Sequence, residues 1–303
     1  MKNSKTILLV GSEGFLGRHL GNLLNSFGYD IIGIDIQNTS STKYLHFINK
    51  NMFELLADDI SFLKNIDSYG LIYTAGVSRN GIAASSPIEA CHNTATSLIK
   101  LLELLNEVLP PSWMMITSTR EVDILLNDEI SLMGKQKIYS TLKLTSELMM
   151  KSYQEHWNIP LKIFRLSDIF GIGDHHSKVM QIFFNKAIRD EEISVQNANV
   201  KLFLTEVSEV SYIIYEHVKT LSSSKQTSSS ELIKLWNEEY YISLLELAYL
   251  TIEFNQNSKS KILTKISNKP LYPIKNRIKP SHIKVLYDIN NNLIQEHYNS
   301  LCH

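Results

Sequence analysis

Three side chains of the sequence have the types and the order needed for proton transfer to and from a hydroxyl group. Tyr139 and Lys143 are four residues apart, so on a helix they share one face. Thr119 precedes them, at the end of an apolar run that predicts a strand. A tyrosine has an ordinary pKa of about 10, but a nearby ammonium favours its phenolate. Tyr139 could then take a proton from a substrate hydroxyl that Thr119 holds.

A second pattern, near the start of the chain, predicts a binding site for a dinucleotide. An apolar run ends on the first glycine of a Gly11-x-x-Gly14-x-x-Gly17 motif, and a helical pattern begins directly afterwards. Gly11 permits a sharp turn, Gly14 lets a backbone approach a pyrophosphate, and Gly17 lets the helix pack closely on the strand. The helix N-terminus then directs N–H groups and the positive end of its dipole at the phosphates. Together with Tyr139 and Lys143, this motif indicates hydride transfer involving a nicotinamide.

The acid at the end of the next hydrophobic run distinguishes between the two nicotinamide dinucleotides. Asp35 lies eighteen positions after Gly17, where a carboxylate could bind the adenosine ribose. It is followed by Ile36 and Gln37, without an arginine close by. A 2′-phosphate would meet a carboxylate and no cation there, so the sequence favours NAD over NADP.

A parallel sheet with helices between its strands would bring these residues together. We predict further strands at 44–48, 70–73, 113–119 and 161–164, and helices at 52–65, 88–109 and 137–157. Thr74, Ala75 and Gly76 follow a central strand, and small residues in such a loop let the backbone approach a dinucleotide.

The last third of the chain is less regular. We predict a helix at 178–189, an exposed Ser/Thr-rich loop at 221–230, a strand at 233–236 and a helix at 243–254. Ser243 and Glu246 have the spacing of a capping box at the start of the last helix. Arg277 and Lys279 could contact a diphosphate, although surface charge is the favoured interpretation.

The bulk composition is that of a globular protein in a reducing compartment. Hydrophobic residues make up 44% of the 303 residues, and a net charge of -1 favours neither nucleic acid nor an anionic membrane. The first strand begins within six residues of the N-terminus, so we expect no signal peptide, and no apolar run has membrane-spanning length. Cys91 and Cys302 lie far apart, which indicates reduced thiols and a cytoplasmic location. His175 and His176 are adjacent and lack a third ligand at a suitable spacing, so we expect no metal site.

These motifs, taken together and in order, resemble those of the extended short-chain dehydrogenase/reductases, the NAD-dependent epimerase/dehydratase group that acts on nucleotide sugars. The resemblance covers residues 7–210 and rests on Gly11-x-x-Gly14-x-x-Gly17, Asp35, Thr74-Ala75-Gly76, Asn93, Ser118-Thr119, Tyr139-x-x-x-Lys143 and Arg165-Leu166-Ser167-Asp168-Ile169-Phe170-Gly171. It implies an α/β fold, a doubly wound Rossmann sheet with a smaller, mixed C-terminal domain. The NAD-binding domain would span residues 1–171, with a return of the chain around 202–220. Residues 172–201 and 221–303 would form the substrate-binding domain.

The resemblance also implies roles for individual residues. Tyr139 is expected to be the catalytic base and acid, Lys143 to lower its pKa and bind the ribose, and Thr119 to complete the triad. The residues expected to bind NAD are Gly11, Gly14, Phe15, Leu16, Gly17, Asp35, Ile36, Thr74, Ala75, Gly76, Asn93, Tyr139, Lys143 and Leu166. Those expected to bind the nucleotide sugar are Ser118, Arg120, Ser167 and Asp168. A homodimer through the helices at 88–109 and 139–157 is implied as well.

One run departs from the pattern of the family. Ser118-Thr119-Arg120-Glu121-Val122 is similar to the Ser-Thr-Asp-Glu-Val run of sugar-nucleotide 4,6-dehydratases and to the Ser-Thr-Ser-Glu-Val run of UDP-glucuronate decarboxylases. Glu121 could therefore be a second catalytic acid or base beside the sugar ring. Arg120 replaces the dehydratase aspartate, and a guanidinium cannot donate a proton at neutral pH, which argues against simple 4,6-dehydration.

The sequence thus predicts an NAD-dependent enzyme that epimerises a nucleotide-activated sugar through a transient 4-keto intermediate. The alternatives are a 4-ketosugar reductase or dehydrogenase that uses NAD(P)H, a dehydratase or decarboxylase that uses Glu121, and a catalytically silent, NAD-sensing subunit. A dinucleotide that stays bound and is regenerated each turnover suits an epimerase better than a net reductase. The short interval between Thr119 and Tyr139 motivates the silent alternative, whereas the retention of Thr119, Tyr139 and Lys143 argues against it.

Overall fold

A computed structural model describes residues 5–38, 42–127, 134–223, 228–255, 258–264 and 280–301, so Arg277 and Lys279 lie outside the described residues. The strands are β1 Thr6–Val10, β2 Asp30–Asp35, β3 Tyr44–Asn49, β4 Tyr69–Tyr73, β5 Trp113–Thr119, β6 Leu161–Leu166, β7 Asp168–Phe170, β8 Ile193–Val195, β9 Lys201–Leu202, β10 Leu204–Glu206, β11 Ser230–Leu235, β12 Ile242–Ser243 and β13 Ile262–Thr264. The α-helices are α1 Phe15–Ser26, α2 Asn80–Ser85, α3 Pro87–Cys91, α4 Ser97–Val108, α5 Glu121–Leu126, α6 Lys137–Trp157, α7 Val179–Ile188, α8 Val207–Ser223, α9 Leu244–Phe254 and α10 Pro280–Leu301.

Seven parallel strands form the central sheet, in the order β11-β6-β5-β4-β1-β2-β3. β1 is covered on both faces, and its residues Ile7, Leu8, Leu9 and Val10 are fully buried, which explains why this strand is a continuous apolar run. The strand order reverses between β1 and β4, and ligands of such sheets bind outside the carboxyl ends of the strands at that point. The predicted doubly wound α/β fold is confirmed.

The chain divides into two compact units, the first formed by Met1–Leu166 with Val210–Leu235 and the second by Ser167–Glu209 with Trp236–His303. The segment in which the chain returns to the first unit, Val210–Leu235, therefore extends past residue 220. Within it, β11 begins three residues before the strand predicted at 233–236. β11 belongs to the first unit because it pairs in parallel with β6 along its whole length, from Ser230 opposite Leu161 to Leu235 opposite Leu166.

The helix predicted at 52–65 is replaced by two segments of 3₁₀ helix, Met52–Glu54 and Ala57–Asn65. Two separate start signals explain the interruption. The Asn51 side chain accepts a hydrogen bond from the N–H of Phe53, and the Asp59 carboxylate accepts one from the N–H of Leu56. Each of these side chains caps its own short segment, so that the chain between them stays extended.

The helix predicted at 88–109 is observed as far as Val108, but residues His92–Thr96 form a π-helical segment between α3 and α4. Polar side chains within this helical stretch account for the π-helical segment. The Ser97 hydroxyl donates to the carbonyl oxygen of His92 at 2.6 Å, and the Thr94 hydroxyl accepts a hydrogen bond from the N–H of Val77 at 3.2 Å. Such one-turn bulges in helices are frequent at functional sites.

The described residues of the second unit include the helices α7, α9 and α10 and three two-stranded sheets, β7 with β10, β9 with β12 and β8 with β13. Its core is built from apolar residues of α7, α9 and α10, among them the fully buried Phe184 and Leu247. The predicted capping box is confirmed, because Glu246 N–H donates to the Ser243 hydroxyl at 3.1 Å and Ser243 N–H donates to the Glu246 carboxylate at 2.7 Å.

Candidate active site

The glycine loop is folded so tightly that side chains at two of its glycines would collide with backbone. Gly11 has a φ of +81°, and a Cβ placed there would lie 2.7 Å from the backbone nitrogen of Ala75. A Cβ at Gly17 would lie 2.0 Å from the carbonyl oxygen of Gly11. The Thr74 hydroxyl donates to the carbonyl oxygens of Val10 at 2.9 Å and Gly11 at 3.1 Å, which ties the end of β4 to this loop.

The loop leads into the N-terminus of α1, where a pyrophosphate is expected to bind. Gly14 is the N-cap residue in an extended conformation, and no acidic side chain occupies the first turn that begins with Phe15 and Leu16. The N–H groups of a first helical turn have no acceptor within the helix, and they attract anions. The glycine loop from Gly11 to Gly17, which we call the cradle, therefore fits a dinucleotide backbone.

Asp35, at the carboxyl end of β2, is held by two backbone donors. Its Oδ2 accepts a hydrogen bond from the N–H of Glu13 at 2.8 Å, and its Oδ1 accepts one from the N–H of Gln37 at 2.9 Å. A carboxylate has about four acceptor positions, so both oxygens keep capacity for a ribose hydroxyl. Ile36 is 68% exposed next to it. The contact of Asp35 with the ribose stays a prediction.

Sequence reasoning missed Glu13, the residue between the first two glycines of the motif. Its side chain is fully buried, and its Oε1 accepts a hydrogen bond from the Tyr44 hydroxyl at 2.5 Å. The ring of Tyr44 lies so close to Gly33 that a Cβ at Gly33 would meet it at 2.5 Å. No local pattern indicates this contact, because Glu13 and Tyr44 are 31 residues apart.

The predicted proton-transfer residues lie on α6 and β5, which pack against each other in the first unit. Tyr139 is 9% exposed and packs with Ala83 and Ala90. The Lys143 ammonium donates to the carbonyl oxygen of Thr117 at 3.4 Å. Burial lowers the pKa of Lys143 to about 8, and the negative charge of Glu147 acts in the opposite direction. An ammonium that is largely shielded from water is thus placed one helical turn from the Tyr139 phenol.

The end of β5 supplies the hydroxyl groups of the site. Ser118 and Thr119 are both buried, and the Ser118 hydroxyl has no hydrogen-bond partner among the described residues. The Thr119 hydroxyl accepts a hydrogen bond from the N–H of Glu121 at 3.3 Å, while Arg120 N–H donates to the carbonyl oxygen of Leu166 at 2.7 Å. The structure therefore brings Leu166 and the Thr119–Glu121 turn together at neighbouring strand ends.

The first unit also contains an ion-pair network that we did not predict from the sequence. Arg165 donates to both carboxylate oxygens of Glu147, from Nε at 2.9 Å and from Nη2 at 2.6 Å. Its Nη1 lies 3.1 Å from Asp123 Oδ1, and Lys234 Nζ lies 2.6 Å from the same oxygen. The spacing of Glu147, four residues after Lys143, is the one signal that could have pointed to it.

Three further predicted site residues are Asn93, Ser167 and Asp168. Asn93 lies half-buried in the π-helical segment. Ser167 and Asp168 begin the second unit, where the Ser167 hydroxyl donates to the carbonyl oxygen of Phe203 and Asp168 Oδ2 accepts the Phe203 N–H at 3.0 Å. Their contacts with cofactor and substrate stay predictions.

Among the described residues, no group of three or more His, Cys, Asp or Glu side chains could hold a metal ion. The Nδ1 of His175 accepts a hydrogen bond from the N–H of Ser177 at 3.2 Å.

No helix in the described part of the chain is both long and apolar enough to cross a membrane.

Comparison with known proteins gives relatives that agree with this geometry. Residues 7–205 match the model of the NAD dependent epimerase/dehydratase family. The chain is 23% identical over 261 residues to UDP-glucuronic acid decarboxylase 1 of Danio rerio, covering 82% of this chain and 60% of that protein. It is 20% identical over 247 residues to UDP-glucuronate 4-epimerase 4 of Arabidopsis thaliana, covering 75% and 56%. The chain thus spans little more than half the length of these curated relatives.

Solved structures are similar over nearly the whole chain. A UDP-glucose 4-epimerase of Thermotoga maritima superposes with a TM-score of 0.75 at 15% identity, covering 97% of this chain and 99% of that one. A UDP-glucuronic acid 4-epimerase of Bacillus cereus, in complex with UDP-glucuronic acid and NAD, gives a TM-score of 0.73 at 17% identity and covers 95% and 99%. At these identities the likeness shows a common fold. Because the family match covers well over half of the sequence, the chain belongs to the NAD-dependent epimerase/dehydratase family, a family of enzymes whose cofactor is NAD.

Proposed function

We propose that this protein epimerises a nucleotide-activated sugar by oxidising a ring carbon and reducing it again from the other face. The observation that carries the proposal is the buried pair Tyr139 and Lys143 on α6, held by Lys143 Nζ against β5, the strand that ends in Thr119. Tyrosine with a neighbouring ammonium is suited to moving a proton at a carbinol oxygen, which both half-reactions need.

The chain's own residues divide the work as follows. Thr119 holds the sugar hydroxyl, and Tyr139 takes the proton of that hydroxyl in the first step and returns it in the second. Lys143 stabilises the Tyr139 phenolate, which is the form present before the first step and after the second. When bound, NAD would supply the acceptor for the hydride that leaves the sugar carbon and would later give that hydride back. The cradle from Gly11 to Gly17 and Asp35 would hold the cofactor, and Asp35 favours NAD over NADP because it would repel a 2′-phosphate.

The test is release of the bound dinucleotide from the denatured protein, followed by incubation of the native protein with a panel of nucleotide sugars. Mass spectrometry should find NAD in a one-to-one ratio and a sugar product of unchanged mass, separable by chromatography. An empty protein that turns over with added NADH or NADPH, giving a product heavier by two hydrogens, would instead identify a reductase. Bound NAD without turnover on any sugar would favour the silent, NAD-sensing alternative.

Decarboxylation of a nucleotide-activated uronic acid is the second candidate. Glu121 begins α5 two residues after Thr119, and its N–H donates to the Thr119 hydroxyl. The relatives that are UDP-glucuronic acid decarboxylases favour the same reaction. A product lighter by one CO₂, formed by the native protein and lost in Glu121→Gln, would establish this reaction in place of epimerisation.

We also propose that the protein is a homodimer formed through α3, α4 and α6. Large apolar side chains on these helices are exposed, with Ile88 at 78%, Ile99 at 38% and Leu148 at 54%. Burying them against a second copy would remove this apolar surface from water.

The free thiol of Cys91 is exposed, which suits the reducing cytoplasm that we propose as the location.

The second unit is proposed to bind the sugar nucleotide, with Ser167 and Asp168 at its start. This proposal can be tested with the same panel of sugars, because substitution of Asp168 by Asn should raise KM and leave the content of bound NAD unchanged.

A further inference from the structure

Five charged side chains of the first unit form a row of alternating sign that starts one helical turn from Tyr139. They are, in order, Lys143, Glu147, Arg165, Asp123 and Lys234, and we call them the charge row. The two carboxylate oxygens of Glu147 receive separate N–H groups of Arg165, at 2.9 Å and 2.6 Å. Asp123 Oδ1 lies between Arg165 Nη1 at 3.1 Å and Lys234 Nζ at 2.6 Å.

The charge row runs from the interior of the unit to solvent. The side chain of Glu147 is 2% exposed, that of Arg165 7%, that of Asp123 16% and that of Lys234 51%. Buried charges are unfavourable unless each one has a partner with good geometry. A bidentate contact with a guanidinium is among the strongest interactions available to a carboxylate, so Arg165 is a suitable partner for the almost fully buried Glu147.

We propose that Glu147 is the positioning residue that keeps the Lys143 ammonium charged inside the protein, and that Asp123 holds Arg165 in contact with the Glu147 carboxylate. This inference rests on the proposed function, because it concerns the proton-transfer pair Tyr139 and Lys143. The charge of Lys143 matters there because a neutral amine would not stabilise the Tyr139 phenolate.

The electrostatics of the site support this assignment. Burial lowers the pKa of Lys143 to about 8, and the charge of Glu147 opposes that effect. Burial also acts to lower the pKa of Arg165, but the hydrogen bonds and charges of Glu147 and Asp123 outweigh it and raise the pKa. The titratable groups that are at least partly buried on the elements around Lys143 are Lys137, Tyr139, Glu147, Lys151 and Tyr153 on α6, Glu121 and Asp123 on α5, Lys162 and Arg165 on β6, and Lys100 on α4. Glu147 is the carboxylate one turn from Lys143 on the same helix.

Asp123 links this network to the strand end that carries the hydroxyl groups. It lies on α5, four residues after Thr119, and its Oδ2 is buried without a hydrogen-bond partner among the described residues. Its Oδ1 is therefore the oxygen that faces both cations. Arg165 on β6 contacts α5 through Asp123 and α6 through Glu147, so displacement of either helix would break an ion pair with β6.

The experiment measures the protonation of Lys143 directly. A brief exposure of the intact protein to trace acetic anhydride over a series of pH values, followed by peptide mass spectrometry, gives the midpoint at which Lys143 becomes reactive. We expect a midpoint near 8 in the native chain, as its buried pKa indicates, and in Glu147→Gln a midpoint lower by roughly 1 pH unit. The matched control is Glu216→Gln, which removes a carboxylate from an exposed pair with Lys219 in the same unit and should leave the midpoint unchanged. An unchanged midpoint in Glu147→Gln overturns the proposal.

A second variant covers the case in which Glu147→Gln does not fold. Asp123→Asn keeps the contact between Glu147 and Arg165, and it should lower the Lys143 midpoint by a smaller amount, because the guanidinium charge is then less compensated. No shift in that variant overturns the proposal as well. Labelling needs no sugar substrate, so a failure of the proposed function is seen separately: Tyr139→Phe would then retain native turnover while the midpoint still falls in Glu147→Gln.

Discussion

Lys143 Nζ donates to the carbonyl oxygen of Thr117 across 3.4 Å, and this contact joins α6 to the strand that ends in Thr119. The ammonium is therefore anchored to the backbone two residues before the hydroxyl side chain. Tyr139 lies one turn earlier on the same helix. The distances between phenol, ammonium and threonine hydroxyl depend on this single packing of α6 on β5.

Tyr139→Phe should reduce turnover by roughly 10²- to 10⁴-fold, the usual contribution of a general acid–base group, while NAD binding stays largely intact. The control is Tyr153→Phe on the same helix, where the hydroxyl donates to Glu103. Turnover is measured on the nucleotide sugar found in the panel, and NAD binding by calorimetry. Equal loss of turnover and NAD binding would contradict the role of Tyr139 in proton transfer.

Lys143→Met should stabilise the folded protein at pH 7 while it abolishes turnover. The folded pKa of Lys143 is about 8 against an ordinary 10.5, so keeping the buried ammonium costs up to about 3 kcal/mol of unfolding free energy. Between about pH 8 and 10.5 the unfolded chain binds a proton that the folded chain does not, so the stability of the native protein rises with pH there. The advantage of Lys143→Met should thus shrink across that window.

Urea unfolding at pH 7, 9 and 10.5 measures this trend. Lys151→Met, a lysine with access to solvent on the same helix, should give no comparable gain at pH 7. A gain from Lys143→Met that does not change with pH would mean that better packing, and not the buried charge, causes it.

Asp35→Asn should weaken NAD binding about tenfold or more and shift the preference between NAD and NADP towards NADP. The carboxylate is expected to make charge-assisted hydrogen bonds to the ribose and to repel a 2′-phosphate, and an amide does neither as strongly. Asp30→Asn, at the exposed start of the same strand, is the control. Titration with both dinucleotides checks the prediction, and an unchanged ratio of the two affinities would show that Asp35 does not select the cofactor.

Leu148→Glu should convert the proposed homodimer into monomers, because it places a charge among the exposed apolar side chains of α3, α4 and α6. Size-exclusion chromatography with light scattering measures the mass of the native protein and of the variant. Leu45→Glu, at a position that is similarly exposed on β3, should leave the mass unchanged. A native protein that is already monomeric would rule out the dimer.

Much of the fold could be predicted from short-range patterns. The run from Thr6 to Val10 is apolar because β1 is covered on both faces, and the three glycines of the loop lie within seven residues of one another in the sequence. The longer helices were less predictable in detail. The π-helical segment depends on Thr94 meeting Val77, and the 3₁₀ segments on two caps that compete with one continuous helix.

By itself the sequence determined the strands and helix of the βαβ unit, the glycine spacing and the Tyr139–Lys143 spacing, since each is a pattern among residues only a few positions apart. The tertiary structure alone decided that Glu13 is buried beneath Tyr44, that β11 joins β6, and that Arg165 meets Glu147 and Asp123 from 18 and 42 residues away. The physical reason is that a charge becomes stable in the interior through its partners. Those partners come together only when the sheet and its helices have packed.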